Sequence, residues 1–271
     1  MKPRIYAMRH LIPTIILIFH ITIGFGQSET SKTEIIIIGT IHKGNKIFKH
    51  RTLHEILKKN KPDIILWEQS IMFKRVFGLR TADFLRIWNP GIEQLSLQKY
   101  TAVNKDLPIF PFDTIIKSRK NYIKDKITIT QSFHDNLYSA KKTIADSTIY
   151  ADFATKHNFY HNFIDTSTLS RINQKDIIDM SRELYYLDEK VILPLGKKYI
   201  SDSLLVNNFS NEVQFWNDRN DYMVNQILNY SKLYAGKKII ILTGLNHKYY
   251  LQDKLSSLNK SDLKIIEFSA E

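Results

Sequence analysis

Two short runs in the chain end alike. Glu34–His42 reads EIIIIGTIH and Lys237–His247 reads KKIIILTGLNH, each an isoleucine run closed by Gly-x-x-His. A third run, Ile64–Glu68, ends in a carboxylate. Two neutral imidazoles and a carboxylate suit a divalent ion of the zinc, manganese or cobalt kind. Such an ion lowers the pKa of a bound water to about 7 and so makes a nucleophile. His and Glu can also run general-base chemistry with no metal.

A fourth residue joins them from an expected helix over Glu212–Tyr234. Its apolar stripe runs through Phe215, Trp216, Met223, Ile227 and Tyr230, and Arg219 falls on that stripe. A charge on a buried face costs several kcal/mol unless it is paired. Arg219 is therefore either a structural partner for Glu68 or Asp113, or a clamp for an anionic substrate or oxyanion. His50 and His54, and His157 and His161, stand at i, i+4 and could clasp an ion on one helix face, but neither pair forms HExxH. Tyr249 and Tyr250 read as core packing. G-x-S-x-G, P-loop and dinucleotide fingerprints are missing from the sequence.

The elements that must position these residues follow from the pattern. Ile35–Gly39 is a β-branched run too short for a helix and apolar throughout, as a strand covered on both faces reads. Lys49–Asn60 has Leu53, Ile56 and Leu57 on one side and lysines on the other, which predicts an amphipathic helix. Ile64–Glu68 is the second strand. A crossover of that length makes the two strands parallel, so His42 and Glu68 leave the same carboxyl edge, where open α/β sheets bind ligands. Residues 71–88 and 92–105 read as helices, and Leu107–Phe112 as a third strand ending in Asp113. From about 118 to 211 the isoleucine runs give way to polar, aromatic-rich helical segments, an insertion that covers the sheet edge. Lys237–Thr243 is the fourth strand, Gly244–His247 a loop, Lys248–Leu255 a short helix and Leu263–Phe268 a last strand. The fold class is α/β: a largely parallel central sheet flanked by helices, with the helical insertion between the third and fourth strands.

Composition narrows the function. The 271 residues hold no cysteine, which excludes disulfides, thiolate metal sites, a cysteine nucleophile and a lipid-modified amino-terminal cysteine. Met1–His10 carries Lys2, Arg4 and Arg9 with no acid, Leu11–Phe25 is largely apolar, and Gly24 and Gly26 precede Gln27. This reads as a secretory signal peptide over residues 1–26, because about 15 apolar residues fall short of the ~20 that span a bilayer. The expectation is an exported protein, periplasmic or secreted, with a single domain over 27–271 and no stable membrane span once the signal is removed. Removing those three basic residues takes the formal net charge from +12 to +9. The lysines are spread along the chain and no nucleic-acid motif is visible, so the expected partner is a peptide or small-molecule substrate.

The residues GTIH at 39–42, PDIILWE at 62–68, DRNDYM at 218–223 and LTGLNH at 242–247 resemble the TraB/PrgY–Tiki group, which includes GumN-like proteins. That group sits with ChaN-like and erythromycin-esterase-like proteins in a wider superfamily. The family pattern is two Gly-x-x-His motifs, a glutamate after the first and an arginine before the second. The resemblance spans residues 35–113 and 212–268. It implies an active-site set of His42, Glu68, Arg219 and His247, with Glu93 as a further acidic position; Asp113, at the end of the third strand, points to the same edge by the strand-end argument alone. It also implies a range of functions: metal-dependent protease for Tiki-like members, action on peptide pheromones for PrgY-like ones, haem binding for ChaN-like ones and metal-free ester hydrolysis for the esterase branch. The resulting expectation is an exported metal-dependent hydrolase, peptidase-like, with His42, His247 and Glu68 as ligands and Glu68 and Arg219 as catalytic residues. A metal-free esterase or a haem-binding protein is the alternative.

Overall fold

The isoleucine runs become the three central strands of a five-stranded sheet, where each is buried on both faces. A computed structural model of the chain describes residues 31–42, 44–45, 47–70, 91–114, 119–258 and 260–268. The expected signal peptide and the helix expected over 71–88 lie outside the described residues. Strands β1 (Thr33–Thr40), β2 (Ile64–Ser70), β3 (Ile109–Asp113), β4 (Lys238–Gly244) and β5 (Leu263–Ile266) pair in the order β3-β2-β4-β1-β5. Every pairing is parallel. Alternate residues of the runs feed two separate cores. Ile36, Ile38, Ile65, Trp67, Ile240 and Leu242 pack on one face. Ile35, Ile37, Ile64, Leu66, Ile239 and Ile241 pack on the other. This two-sided burial is why the strands read as continuous apolar runs instead of alternating ones.

Helix α1 (His50–Asn60) joins β1 to β2 and buries Leu53, Ile56 and Leu57, as its stripe requires. Helix α2 (Ile92–Val103) precedes β3. The helical layer then runs α3 (Arg119–Ser139), α4 (Ile144–Asp165), α5 (Leu169–Ile172), α6 (Lys175–Leu187), a π-helical turn at Asp188–Ile192 and α7 (Leu193–Tyr199). It continues into α8 (Ser203–Leu233), and α9 (Leu245–Ser257) follows β4.

Two expectations need correction. The boundary expected at 211 falls inside α8, one 31-residue helix. Asp202 caps its start by accepting from Leu205 N–H at 3.0 Å, and no glycine or proline interrupts the run to Leu233. The insertion and the helix carrying Arg219 are thus continuous. Second, Gly244–His247 is no loop. Gly244 is the last residue of β4 and directly caps α9, so His247 lies in that helix's first turn.

β4 lies between β1 and β2. The strand ends that carry His42, His247 and Glu68 are therefore three neighbours at one carboxyl edge. The far side of β1 shows how this edge is held. Its pairing with β5 stops at Ile36, leaving Gly39 with a free backbone donor and acceptor on that side. The Asn173 side-chain amide fills both, accepting from Gly39 N at 2.8 Å and donating to Gly39 O at 2.8 Å.

Candidate active site

Glu68 is the centre of the site and is 2% exposed. Its Oε2 accepts from Thr243 Oγ1 at 2.9 Å and from Gly244 N–H at 2.6 Å, both at the end of β4. Its Oε1 accepts from Arg219 Nη2 at 2.7 Å. Burial works to raise the Glu68 pKa. The Arg219 guanidinium and the Gly244 N–H, joined by the His247 and His42 rings when these are protonated, outweigh it and hold the carboxyl well below its ordinary range. Glu68 is a fixed anion.

The two histidines approach that anion from either side. His42 Nε2 lies 3.7 Å and His247 Nε2 3.6 Å from Glu68 Oε1. Their other nitrogens are tied down. His42 Nδ1 meets Glu93 Oε1 at 2.7 Å, and the Thr40 hydroxyl donates to the same oxygen. His247 Nδ1 meets Asn220 Oδ1 at 2.6 Å. The Asn220 Nδ2 donates to Trp216 O at 2.8 Å, so its oxygen is the atom left for the ring. Each Nδ1 therefore carries its proton toward an oxygen, and each Nε2 presents a lone pair to the gap before Glu68. Burial lowers the His247 pKa to about 3, against the pull of Glu68, so this ring is neutral at pH 7.

The glycine at the end of β4 allows a close approach. A Cβ on Gly244 would lie 3.1 Å from His42 Nε2 and 3.3 Å from Glu68 Oε2. The glycine of the first motif acts elsewhere: a Cβ on Gly39 would meet Leu245 Cδ1 at 2.8 Å, where α9 packs on β1.

Arg219 is fully engaged on its inner side. Its Nε and Nη2 grip Asp113 at 2.9 and 2.8 Å, and Nη2 also holds Glu68. Burial lowers its pKa, but the two carboxylates outweigh burial and keep it charged. Of the two roles foreseen for Arg219, the geometry displays the structural one, and Asp113 serves as its counter-ion. All six candidate residues from the sequence thus meet in one connected cluster.

The structure adds residues that the pattern did not single out. Asn220 sits beside Arg219 and is wholly buried. A buried amide next to a buried arginine is a readable signal once the helix face is known. Trp216 stacks on the His247 ring at 4.1 Å and 17°. Lys126 and Tyr122 come from α3 to line the same opening of about 300 Å³. Lys126 Nζ lies 4.9 Å over the Trp216 ring, and burial lowers its pKa. Nothing in the sequence tied α3 to this edge.

The donor set suits a divalent ion: two Nε2 lone pairs and an anionic oxygen, each imidazole oriented by a second hydrogen bond, as metal-bound histidines are. Ligand atoms on one ion at about 2.0–2.1 Å stand roughly 3–3.6 Å apart, close to the separations here. Among the described residues, however, no group of three or more His, Cys, Asp or Glu side chains is placed to hold a metal ion. His50 instead faces Lys99, with Nε2 2.8 Å from Nζ. Tyr249 packs in the core as expected, and Tyr250 donates to Asp221 Oδ1 at 2.7 Å.

No family model matches the sequence, and no curated protein matches it. Among solved structures, an erythromycin esterase (a mutant of EreC in its open conformation) is similar over 78% of this chain, with 11% identity and a TM-score of 0.29. This chain spans 60% of that one. None of these comparisons shows the TraB/PrgY–Tiki group. Among the described residues no helix is long and apolar enough to cross a membrane.

Proposed function

We propose that the chain is an exported hydrolase that activates water between His42, His247 and Glu68, with a peptide-like or small carboxyl-derived substrate. The observation that carries this reading is the pair of Nε2 atoms facing one fixed carboxylate oxygen at 3.7 and 3.6 Å. Water or a metal-bound water is a guest that two imidazole nitrogens and a carboxylate oxygen would hold. His42, His247 and Glu68 would hold a divalent ion, and that ion would supply a water of lowered pKa. Resemblance to the TraB/PrgY–Tiki group supports the metal-dependent, peptidase-like form.

The chain's own residues have separable tasks. Glu93 and Thr40 hold the His42 ring in its turn. Asn220 and the Trp216 face hold the His247 ring. Arg219, Thr243 and the Gly244 N–H keep Glu68 anionic and oriented. Because Arg219 is spent on two carboxylates, Lys126 is, among the described residues that line this opening, the cation left to meet negative charge developing on a substrate oxygen.

A second, metal-free reading is favoured by the Glu93–His42 pair. A half-exposed imidazole with a carboxylate on its far nitrogen is the arrangement of a general base, Glu93 balancing the charge that a proton taken up by His42 would bring. One experiment decides between them. The purified protein and a His42→Ala/His247→Ala double variant are stripped with chelator, reloaded with manganese, cobalt or zinc, and assayed for bound metal and for ester and peptide hydrolysis. Stoichiometric metal in the native chain alone, with activity returning on reloading, supports the metal form. Equal, negligible metal in both, with hydrolysis by the native chain undiminished after chelation and lost in the double variant, supports His42 as base. No hydrolysis under any condition overturns the proposal.

A further inference from the structure

The helical layer encloses a second cavity, of about 390 Å³, that the water-activating cluster does not use. It shares Lys126, Trp216 and Asn246 with the opening at His42, Glu68 and His247. Its walls are aromatic. Tyr185 stacks on Trp216 at 4.8 Å and on Tyr249 at 5.5 Å, and Phe209 and Tyr160 also face the space. Trp216 in turn lies on the His247 ring, so one aromatic stack forms the cavity wall and ends at the reactive edge.

Among the described residues, three buried side-chain polar atoms have no hydrogen bond: Ser181 Oγ, Asp188 Oδ1 and Trp216 Nε1. All three residues line this cavity. Folded proteins leave few such groups bare, and each one asks for an explanation. Ser181 and Trp216 have the Tyr160 and Tyr249 hydroxyls beside them, near enough to interact but without a well-aligned bond. Asp188 has less. The basic group that approaches it is His134 Nε2, at 3.9 Å. Oδ1 is shut off from water, while 26% of the side chain stays open. Of the other charged groups on these walls, Arg182 pairs with Asp253 and Glu189 with Lys190, Glu212 accepts from the Tyr122 hydroxyl, and Lys126 lies over the Trp216 ring at the end shared with the opening at Glu68. Asp188 also begins the π-helical turn, a local widening that occurs often at functional positions.

We propose that this cavity binds an apolar amine, the Asp188 carboxylate taking its ammonium group and the aromatic walls its carbon skeleton. A carboxyl whose Oδ1 has no hydrogen bond, set among aromatic faces, supplies the two attractions an alkylammonium seeks, a charge-assisted hydrogen bond and cation–π contact. Burial pushes the Asp188 pKa up to about 7, and an ammonium beside it supplies the counter-charge that the carboxylate lacks. Resting on the hydrolase reading, the amine is one arm of a substrate whose ester or amide carbonyl reaches the gap at Glu68.

Calorimetric titration of the whole purified chain with 4-phenylbutylamine, 4-phenylbutanol and 4-phenylbutyrate tests this. The amine is expected to bind at least about tenfold tighter than the alcohol, and the carboxylate to bind least. Asp188→Asn is expected to bring the amine down to the alcohol's affinity while leaving the alcohol unchanged. Equal affinities for amine and alcohol on the unaltered chain overturn the proposal without any variant. So does zinc binding that excludes the amine and disappears in His157→Ala/His161→Ala, whose Nε2 atoms lie 3.1 Å apart on the same wall. His42→Ala is expected to retain amine binding. If amine binding survives while the native chain hydrolyses nothing, the hydrolase reading fails and the binding site stands.

Discussion

The two Gly-x-x-His runs share a spelling and part in structure. His42 sits on a turn past β1, with 49% of its side chain exposed and a carboxylate on its far nitrogen. His247 sits in the first turn of α9, 4% exposed, with a neutral amide oxygen on its far nitrogen and an indole on its face. Register explains how unlike settings deliver two rings to one atom. Thr40 pairs with Gly244, so both histidines lie two or three residues beyond the same level of the sheet. One position gives access to solvent and a partner able to balance charge. The other gives burial and a fixed lone pair. Similar motif text therefore specifies where a ring stands, and the neighbours specify what it can do there.

The hardest blow to this comparison is removal of each ring. In the proposed reaction His42→Ala and His247→Ala each lower kcat by about 10²- to 10⁴-fold, and the double variant loses little more than the worse single one, because the rings act as a unit. Steady-state hydrolysis of the best ester or peptide substrate checks it. Full activity in His247→Ala would make that ring structural and leave His42 alone in the chemistry.

Arg219→Met comes next. It leaves Glu68 and Asp113 buried without their counter-ion, and removing one partner of such a group costs about 3–5 kcal/mol. Urea unfolding should show that loss even where activity cannot be assayed. A change below about 1 kcal/mol would mean that water reaches this cluster freely, and that Glu68 is not the fixed anion both rings face.

A smaller effect separates the supports. Glu93→Gln removes the charge behind one ring while keeping an acceptor, Asn220→Ala removes the oxygen that orients the other, and such changes cost about 10- to 100-fold in activity or metal affinity. If His42 is the base, Glu93→Gln should act on kcat and shift the pH profile, whereas Asn220→Ala should lower activity at every pH. Identical pH profiles for the two variants would break the assignment of different tasks.

Much of this arrangement is legible in the residues. Ile35–Gly39 and Ile239–Thr243 are apolar on both faces, and two-sided burial in a parallel sheet demands that pattern. Arg219 stood out because a cation on an apolar stripe needs a partner, and Asp113 and Glu68 are those partners. Other parts were not legible for physical reasons. Strand order depends on which run wins the central place, and β4 lies between β1 and β2 through pairings 204 and 175 residues apart that no local pattern encodes. The helical start at Leu245 was hidden because Gly244 caps it without a side-chain hydrogen bond, so GLNH has the polar, glycine-led look of a loop. Lys126 and Tyr122 reach the edge only through packing of α3 against α8, which an almost featureless stripe on α3 does not announce.

The mildest test uses acid. Burial lowers the His247 pKa to about 3, whereas the unfolded ring has the ordinary value of about 6.5. Between those two pH values the unfolded chain binds a proton on this ring and the folded chain does not. Protons therefore favour unfolding, and this ring's contribution makes stability fall as pH drops from about 6.5 toward 3, by up to about 1.4 kcal/mol per pH unit. Glu68 acts in the same sense lower down: its folded pKa is depressed, so its contribution is full above about 4.5 and is lost as pH falls through the folded value. His157, lowered to about 4 by burial, adds its own slope over a narrower window. Urea midpoints for the native chain, His247→Gln and His157→Gln, measured from pH 7 to 4, separate the three. His247→Gln should flatten the curve across the whole range. His157→Gln should flatten it with the effect fading toward pH 4. A His247→Gln curve parallel to the native one would show that the ring takes up its proton in the folded state, and the contrast between an open ring and a buried lone pair would be gone.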